Sequence, residues 1–589
     1  MHRRLAKAHA AYARRFAPSR MVDSHRAANG GNARAPHRGA CNSCSARGQS
    51  AGGPAWGKAV ARTRLVDLLR RGAVVAALSR ARGEPLDEII AREHERRIDG
   101  ARRRFLQQSL GVSAGLLLAA CAPQPRRVHD RDDVVIVGAG IAGLSCAWRL
   151  RQAGVGVRLY EAQERIGGRM LSLRGHFADG QVCELGGELI DSGHVRMRAL
   201  AAELDLLLDD LAEDPTAACG DVWFCAGRRY GETEILREFA PLAEAVRRDA
   251  GTLPDEQITY ASRGGAEALD RESMTHWLDR NGASGWLRRL IEVAYTTEMG
   301  LDCDRQSALN FLTFIDPGVE QFRVFGASDE RFHVRGGNDQ IVQRLGAKLD
   351  DALTTGAILE AVRHAADGNY VLSFKRGSGA FQVRACCVVL ALPFTTLRQV
   401  HLDLDLPPAK RRAIAELGYG TNAKLMIGFN ERIWRTRHAS AGSTYSDLPL
   451  QTTWETSRQQ AGAVGILTNF VGGRHGLAIG SGTPKEQADT ATQQLEAIFP
   501  GVSGARAGMR EARFHWPTFA WTQGSYACFT PGQWTTLRGA IGERVGHLHF
   551  AGEHCAFDNQ GFMEGGVETG EWAAQAILAT RTSSSTSTR

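Results

Sequence analysis

The sequence predicts an α/β fold built on a parallel, doubly wound sheet. Val134–Val137 is a continuous apolar run, which is typical of a strand buried on both faces. Glycines follow at once in the pattern G-x-G-x-x-G, and a helical pattern then covers Leu144–Gln152. A second strand over Val155–Tyr160 ends in the acidic residue Glu161. Strand, glycine turn, helix, strand and acid in this order predict a Rossmann-like βαβ unit.

The glycine turn predicts a dinucleotide site. Its glycines permit a tight turn, a close approach of the backbone to pyrophosphate and close helix–strand packing. The helix that follows points free N–H groups and its positive dipole end at the phosphates. Glu161 lies 23 residues after Gly138, where a carboxylate can bind a ribose diol. The residues assigned to the cofactor in this unit are Gly138, Gly140, Ile141, Ala142, Gly143, Glu161 and Ala162.

Two further glycine pairs favour a flavin over a nicotinamide cofactor. One pair lies in Arg165–Arg169, just after the acid, and the other lies in Glu184–Glu188. A longer cofactor needs such pairs because its second phosphate and ribityl chain must pass close to backbone. The second pair also lets a flat ring approach the chain closely. The residues assigned to the cofactor here are Arg165, Gly168, Arg169, Gly186, Gly187 and Glu188.

The C-terminal part of the chain predicts a second contact with the cofactor. His547–Ala551 is strand-like and is followed by Gly552-Glu553. A helix opens near Gly561–Gly566 and runs to Leu578. The N-terminus of this helix would stabilise an anionic reduced flavin. The residues assigned to the cofactor here are Gly552, Glu553, Gly561, Phe562 and Met563.

These two ends of the chain together resemble the flavin-dependent amine oxidases, a family that includes monoamine, polyamine and L-amino acid oxidases. The resemblance covers roughly residues 131–580. It implies FAD and a two-domain fold, in which a discontinuous, doubly wound FAD domain accompanies an α+β substrate domain. The implied FAD segments are 131–200, 336–414 and 523–580, the substrate segments are 201–335 and 415–522, and a tail covers 581–589.

The resemblance also implies positions in the middle of the chain. It places Gly336 and Gly337 near the cofactor, and it makes Thr355–Val362 the strand whose backbone meets the adenine, with Ile358 as a contact.

The implied reaction is oxidation of an amine C–N bond to an imine, with oxygen returning the flavin to its oxidised form and yielding H2O2. Tyr526 and Phe562 match the two rings that flank the amine in monoamine oxidases, and Trp516 would line the flavin side of the same pocket. Lys424 matches the lysine that holds a water against the flavin. Ser525 stands where monoamine oxidases have a flavin-linked cysteine, so non-covalent FAD is expected.

The substrate remains open between an amine and an α-amino acid. Arg196 and Arg198 follow the Glu-Leu-Gly motif, but neither matches cleanly the arginine that binds carboxylate in some L-amino acid oxidases, which favours an amine. Two alternatives stand beside the amine oxidase: an L-amino acid oxidase or FAD dehydrogenase of the same fold, and a flavin-binding scaffold with little turnover.

Charge divides the chain into two parts. Residues 1–130 carry 25 Lys and Arg against 9 Asp and Glu, a net charge of +16, whereas the remainder carries a net charge of −8. The mildly acidic body argues against nucleic acid as a partner. The resemblance implies a small amine and O2 as the partners. Nothing in the sequence predicts a metal site, since Cys41 and Cys44 form a lone C-x-x-C.

The basic N-terminal region predicts export. Residues 101–130 resemble a twin-arginine signal, with Arg102–Leu106 as the motif, fused to a lipoprotein box that ends in Cys121. Residues 1–100 are expected to be a disordered extension or translation upstream of the true start. The expected location is the periplasm, or the membrane surface through a lipid on Cys121.

Overall fold

The computed structural model describes residues 133–216, 219, 221–314, 328–506 and 508–586. The predicted signal, with Arg102–Leu106 and Cys121, and the extension before it lie outside the described residues.

The described strands and helices are numbered in chain order. The strands are β1 (Val134–Val137), β2 (Val157–Tyr160), β3 (Ser172–Leu173), β4 (Cys183–Glu184), β5 (Leu208–Asp210), β6 (Val222–Cys225), β7 (Arg228–Tyr230), β8 (Phe332–Val334), β9 (Leu353–Thr354), β10 (Ile358–His364), β11 (Tyr370–Arg376), β12 (Gly379–Ala385), β13 (Val388–Leu390), β14 (His401–Asp403), β15 (Ala423–Phe429), β16 (Thr444–Ser446), β17 (Thr452–Glu455), β18 (Gly465–Val471), β19 (Glu511–His515) and β20 (Leu548–Phe550). The α-helices are α1 (Ile141–Gln152), α2 (Val195–Glu203), α3 (Glu232–Ala250), α4 (Glu267–Arg271), α5 (Met274–Arg280), α6 (Gly285–Met299), α7 (Ala308–Leu312), α8 (Asp339–Lys348), α9 (Phe394–Leu397), α10 (Pro408–Glu416), α11 (Ile433–Thr436), α12 (Gly473–Ala478), α13 (Pro484–Ile498), α14 (Val502–Ala505) and α15 (Met563–Thr586).

A five-stranded parallel sheet carries the glycine turn. Its spatial order is β20-β13-β1-β2-β9, and every neighbouring pair is parallel. The chain therefore starts at the central strand and winds outwards in both directions, which is the doubly wound arrangement. Ligands of such sheets bind beyond the carboxyl ends of the strands, at the point where the winding reverses. The predicted fold class is confirmed.

The two faces of the central strand β1 belong to different cores. Val134 and Ile136 pack among residues of α1, α8 and α15. Val135 and Val137 pack in a separate cluster that includes Phe374 of β11. Successive residues of a strand point to opposite faces, so a continuous apolar run is needed when both faces are covered. This burial explains why the run Val134–Val137 could be recognised as a strand from its composition.

A second large sheet has seven strands in the order β19-β15-β18-β17-β16-β6-β7. It is mixed, because β16 pairs parallel with β6 while the other pairs are antiparallel. A four-stranded sheet, β12-β11-β10-β14, completes the larger sheets of the described residues. This mixed sheet with its accompanying helices agrees with the α+β character expected of the second domain.

Three predicted elements differ from the structure by a break or by more than three residues at one end. The helical pattern over 279–299 predicts one helix, but the structure has two, since α5 ends at Arg280 and α6 begins at Gly285; Gly282 in the link and Gly285 at the start of α6 have positive φ. The strand expected over 355–362 is broken at Gly356, where φ is +68°. At this turn the chain leaves the parallel sheet and enters the four-stranded sheet. Glycine suits the position because it adopts a positive φ without the strain that a Cβ would cause. The last helix continues past Leu578 to Thr586.

Within the described ranges, no helix combines the length and the apolar character required to cross a bilayer.

Candidate active site

The glycine turn is closed by contacts that leave no room for a side chain. A Cβ on Gly138, where φ is +102°, would lie 2.5 Å from the carbonyl oxygen of Ala391. A Cβ on Gly143 would lie 1.9 Å from the carbonyl oxygen of Gly138. Gly140 precedes the first turn of α1, whose free N–H groups face the same space as the turn. The backbone is therefore open to a ligand on one side and packed on the other.

Glu161 fastens this turn from the end of β2. Its carboxylate accepts hydrogen bonds from the backbone N–H of Ala139 at 2.8 Å and of Gln163 at 2.9 Å. Burial raises the pKa of the Glu161 carboxyl above its ordinary value, against the effect of these hydrogen bonds.

The second glycine pair lies directly against the first turn. Gly167 forms a bridge with Gly140, and its N–H donates to the carbonyl of Ala139 at 2.8 Å. Arg165 supports the pair from outside by donating to the carbonyl of Gly168 at 2.8 Å. Two glycine-rich stretches of backbone therefore meet at the carboxyl ends of β1 and β2.

Arg169 and Glu553 join the N-terminal and C-terminal parts of the site. The Arg169 guanidinium donates to Glu553 Oε1 at 2.7 Å and to the carbonyl of Ser525 at 2.8 Å. The other carboxylate oxygen of Glu553 accepts from the N–H of Gly561 at 2.8 Å. Glu553 thereby fixes the loop that leads into α15, and segments more than 350 residues apart are held in one place.

The start of α15 meets the glycine pair at 186 and 187. A Cβ on Gly187 would lie 2.8 Å from the sulfur of Met563, and one on Gly186 would lie 1.8 Å from the carbonyl oxygen of Arg169. Farther along, Gly570 packs against the carbonyl oxygen of Ala142, at 2.2 Å from an added Cβ, so α15 lies close to α1. The N-termini of α1 and α15 both border one cavity, and each contributes partial positive charge to it.

Lys424 is held by groups of the same region. It lies on β15, is 5% exposed and donates to Glu188 Oε2 at 2.6 Å and to the carbonyl of Gly186 at 2.8 Å. A third, longer contact reaches the carbonyl of Glu184 at 3.3 Å. Burial would raise the pKa of Glu188, but the Lys424 ammonium and two further donors lower it below its ordinary value.

Aromatic side chains form the far end of the site. The Tyr526 hydroxyl donates to the carbonyl of Thr297 at 3.0 Å, which fixes the ring against the last turn of α6. The Phe562 ring packs edge-on against His194, with ring centroids 4.9 Å apart. Trp516 is buried, and its indole N–H donates to the carbonyl of Leu185 at 3.0 Å.

Most of these groups border a single cavity of about 630 Å³. The residues predicted from the sequence that line it are Gly138, Gly140, Ile141, Ala142, Glu161, Ala162, Gly168, Arg169, Gly186, Gly187, Glu188, Ile358, Lys424, Trp516, Tyr526, Gly552, Glu553, Gly561, Phe562 and Met563. A volume of this size lies within the range of ligand and cofactor sites.

Four predicted positions do not line the cavity. Gly143 packs under the turn, and Arg165 braces Gly168 from behind, so both act through other residues. Gly336 and Gly337 were expected near the cofactor, but Gly337 instead packs against Arg174 and Ser172.

The structure adds residues that sequence reasoning missed. Trp454 donates its indole N–H to Glu188 Oε1 at 2.9 Å, and Thr456 donates its hydroxyl to the same oxygen. Asp191 also lines the cavity, and burial raises its pKa to about 7. Trp454 and Thr456 lie in a segment with no local motif, more than 260 residues from Glu188. Asp191 lies five residues after Gly186 of the Glu-Leu-Gly motif.

Arg196 and Arg198 do not line the cavity. Arg196 pairs with Glu571, and Arg198 donates to the carbonyl of Ser192 at 2.9 Å and lies over the Phe332 ring. Ser525 does line it, and its hydroxyl donates to Asn422 Oδ1 at 2.6 Å. A serine at this position provides no sulfur for a thioether.

The family follows from a comparison with known proteins. Residues 141–578 match the model of the flavin containing amine oxidoreductases. The chain belongs to this family. It is therefore a flavin-dependent oxidoreductase that acts on amines, and FAD is its cofactor.

Curated relatives of this amine oxidoreductase share about a quarter of its residues. An L-amino acid dehydrogenase from Synechocystis sp. is 26% identical over 464 residues, which cover 76% of this chain and 94% of that protein. The flavin-containing amine oxidase A of Sus scrofa is 24% identical over 466 residues, which cover 76% and 85% of the two chains.

Solved structures of amine oxidases share the fold. The cyclohexylamine oxidase of Brevibacterium oxydans IH-35A is 24% identical, covers 77% of this chain and 100% of its own, and has a TM-score of 0.67. A putrescine oxidase solved with putrescine is 23% identical, covers 76% and 99%, and has a TM-score of 0.65.

The residues of this oxidoreductase fit FAD. Two glycine-rich backbone stretches, at Gly138–Gly140 and Gly167–Gly168, can receive the phosphates. The α1 N-terminus supplies N–H donors to them, and the start of α15 supplies partial positive charge at the other end of the cavity. Glu161 and Ile358 line the part of the cavity where the resemblance places the ribose and adenine.

Proposed function

We propose that this enzyme oxidises the C–N bond of a primary or secondary amine to an imine and passes the electrons to O2, forming H2O2. The observation that carries the proposal is one continuous cavity, in which the glycine cradle of the dinucleotide site opens onto a pocket walled by Tyr526, Phe562 and Trp516. A neutral amine needs a dry, oriented site more than it needs acid–base groups, and aromatic walls provide one.

FAD, when bound, accepts a hydride equivalent from the α-carbon of the amine, and the imine is then hydrolysed to a carbonyl compound. Tyr526 and Phe562 orient the nitrogen of the amine between their rings. The hydrogen bond from Tyr526 to Thr297 and the packing of Phe562 on His194 hold the two rings in place. Trp516 closes the pocket beside the Gly186–Gly187 pair, because its ring lies 3.2 Å from the position of an added Cβ on Gly186.

Charge pairing in the cavity favours an amine over an α-amino acid. Among the described lining residues, the arginine and lysine side chains are those of Arg169 and Lys424, and each already has a carboxylate partner. A substrate carboxylate would have to compete with Glu553 or Glu188 for these cations, and displacing a buried partner is costly. His554 also lines the cavity, but burial lowers its pKa to about 4.

A second candidate is a dehydrogenase that passes electrons to an acceptor other than oxygen. It is supported by the similarity to the L-amino acid dehydrogenase of Synechocystis sp. and by the engagement of Lys424 with protein acceptors.

Anaerobic titration tests the proposal. The purified holoenzyme is mixed with primary amines, secondary amines, diamines and L-amino acids while the flavin absorbance is followed. Bleaching by amines and not by amino acids supports the proposal, whereas bleaching by amino acids alone supports the other substrate class. Recovery of the absorbance in air with one H2O2 per amine supports oxygen as acceptor, and bleaching that persists in air supports the dehydrogenase. If no compound bleaches the flavin, the amine assignment fails and the scaffold alternative gains support.

We also propose that the enzyme is exported by the twin-arginine route and lipidated on Cys121. The support is the sequence of Arg102–Leu106 and the residues that precede Cys121. The full chain is expressed in a bacterium with fatty-acid labelling, beside R102K/R103K and C121S variants. Loss of export in the first variant and loss of label in the second are expected, whereas label retained in C121S contradicts the lipidation proposal.

A further inference from the structure

The Lys424 ammonium has a protein acceptor for each of its hydrogens, so none is left to bind a small molecule. It carries three N–H donors. They meet Glu188 Oε2 at 2.6 Å, the Gly186 carbonyl at 2.8 Å and the Glu184 carbonyl at 3.3 Å. The first two distances are those of strong hydrogen bonds, one of them between ionised groups. The side chains of Lys424 and Glu188 are only 7% and 5% exposed, so water screens the pair little.

Glu188 is itself anchored from the second sheet. Its other carboxylate oxygen accepts from the Trp454 indole N–H at 2.9 Å and from the Thr456 hydroxyl. The Trp454 ring also lies beneath the ammonium of Lys424, at 5.2 Å from its centroid. Both donors lie at the end of β17 or just after it, so the carboxylate cannot follow the lysine if the lysine moves. The pair therefore has one well-defined arrangement.

The pair lies at the place where charge would affect a flavin ring. Lys424 and Glu188 line the cavity together with the Gly186–Gly187 pair, Trp516 and Tyr526. An uncompensated cation here would stabilise the negative charge that develops on oxygen as it takes up electrons. A cation with a carboxylate 2.6 Å away presents a dipole instead of a net charge, and its field falls off faster with distance.

From this arrangement we propose that Glu188 is a positioning residue that restrains Lys424 and thereby slows the reaction of the reduced flavin with O2. The proposal rests on the proposed function for the identity of the oxygen step. In that step two electrons and two protons leave the reduced cofactor and its surroundings, and O2 becomes H2O2. Lys424 promotes the step only when its ammonium is released from Glu188, so the native chain reacts with O2 more slowly than it would with an unpaired ammonium.

The variant E188Q tests this restraint. The cofactor of the holoenzyme is reduced by light in the presence of EDTA, so no amine substrate is needed, and is then mixed with O2 in a stopped-flow instrument. Glutamine retains the shape of the side chain and an acceptor for Trp454 or Thr456, but it removes the negative charge. We expect reoxidation by O2 to become about tenfold faster. The midpoint potential of the bound FAD should also shift upward, since an uncompensated cation favours the more negative reduced form.

Two variants, K424M and E188Q/K424M, test whether the Lys424 ammonium is the group that accelerates the reaction with O2. K424M leaves the buried Glu188 carboxylate without its cation, so its rate with O2 should fall, but by less than about a hundredfold because the restrained ammonium contributes little in the native chain. In the E188Q background the same substitution should abolish the whole gain, which makes the two residues strongly non-additive. A gain that persists in E188Q/K424M overturns the proposal, as does a loss of about a hundredfold or more in K424M alone.

Controls separate this role from general damage. Glu455 is a buried carboxylate on β17 next to Trp454, and it binds Trp434 and Arg435 on the side away from the cavity. E455Q therefore removes a comparable charge without contacting Lys424, and its rate with O2 should remain native. Ferricenium, an acceptor that takes electrons without protons, should oxidise E188Q at close to the native rate. An unchanged or slower rate of E188Q with O2 refutes the restraint. If E188Q does not retain FAD, the rate of K424M with O2 becomes the deciding measurement.

This experiment is independent of the substrate. Failure of every amine to reduce the flavin would remove the proposed function but would leave the light-reduced measurement intact. Conversely, an enzyme that oxidises amines with an E188Q rate equal to the native one keeps its function and loses this inference.

Discussion

Replacing Gly143 by alanine measures how closely the glycine turn must pack to hold FAD. Gly143 lies in the first turn of α1 and has no positive φ, so the cost of a methyl group is steric alone. The new Cβ would lie 1.9 Å from the carbonyl oxygen of Gly138, and real Cβ contacts essentially never fall below 3.0 Å. The helix and the turn must therefore separate by about 1.1 Å, the difference of these two distances.

The two sides of this contact cannot move freely. The Gly138 N–H donates to the carbonyl of Tyr160 at 2.7 Å, and α1 is packed against α15 by the contact of Gly570 with Ala142. Overpacking of this kind costs about 1–3 kcal/mol of folding free energy. A 1 Å displacement of the N–H groups that face the phosphates should weaken FAD binding about a hundredfold, or about 2.7 kcal/mol.

The assay is a titration of apoprotein with FAD, followed by quenching of flavin fluorescence, together with urea unfolding of both forms. G504A is the matched control, because Gly504 lies in α14 with no atom within 4 Å of an added Cβ. Its FAD affinity should be unchanged and its stability should rise by up to about 1 kcal/mol. Binding of FAD by G143A within about threefold of the native affinity would refute the steric reasoning.

Three further outcomes follow from the geometry. Y526F loses the hydrogen bond to Thr297, so it should lose about 1 kcal/mol of stability by urea unfolding while its amine turnover stays nearly native. Y526A also removes the wall of the pocket, so its kcat/KM should fall at least about tenfold. R169M should lose about 2–3 kcal/mol of unfolding free energy, and R169M/E553Q should lose less, because the double variant leaves no uncompensated carboxylate. Equal losses in the two variants would contradict the pairing. Burial lowers the pKa of Lys410 to about 7, so the unfolded chain binds more protons between pH 7 and 10 and native stability should rise with pH in that window. K410M should remove that rise and add about 2–4 kcal/mol at pH 7, as measured by denaturation at pH 7 and 9; a rise with pH that persists in K410M would assign it to another group.

The local sequence pattern was sufficient to predict those parts of the fold whose geometry depends mainly on one short segment of the chain. The strand β1, the glycine turn and Glu161 lie within thirty residues of one another, and each has a composition that its backbone geometry requires. The same holds for the start of α15, where glycines precede a helix. Boundaries failed where the deciding contact was distant, as at Gly356, whose turn depends on the neighbouring sheet.

The residues predicted from motifs line the cavity because the motifs have physical reasons to occur there. Gly143 and Arg165 depart from this pattern for a reason that is also physical, since one packs beneath the turn and the other braces it. Gly336 and Gly337 do not line the cavity, and their place near the cofactor stays a prediction, because a glycine pair indicates only that the backbone geometry is unusual and not which group lies against it.

The sequence by itself determined the doubly wound sheet, the dinucleotide site and the flavin that distinguishes this chain from nicotinamide enzymes. Only the tertiary structure decided the electrostatic state of the site. Lys424 and Trp454 lie 236 and 266 residues after Glu188, and nothing in the local sequence around Glu188 indicates either of them. A side chain's own chemistry can be read from one position, whereas its charge environment depends on partners that folding brings within hydrogen-bonding distance.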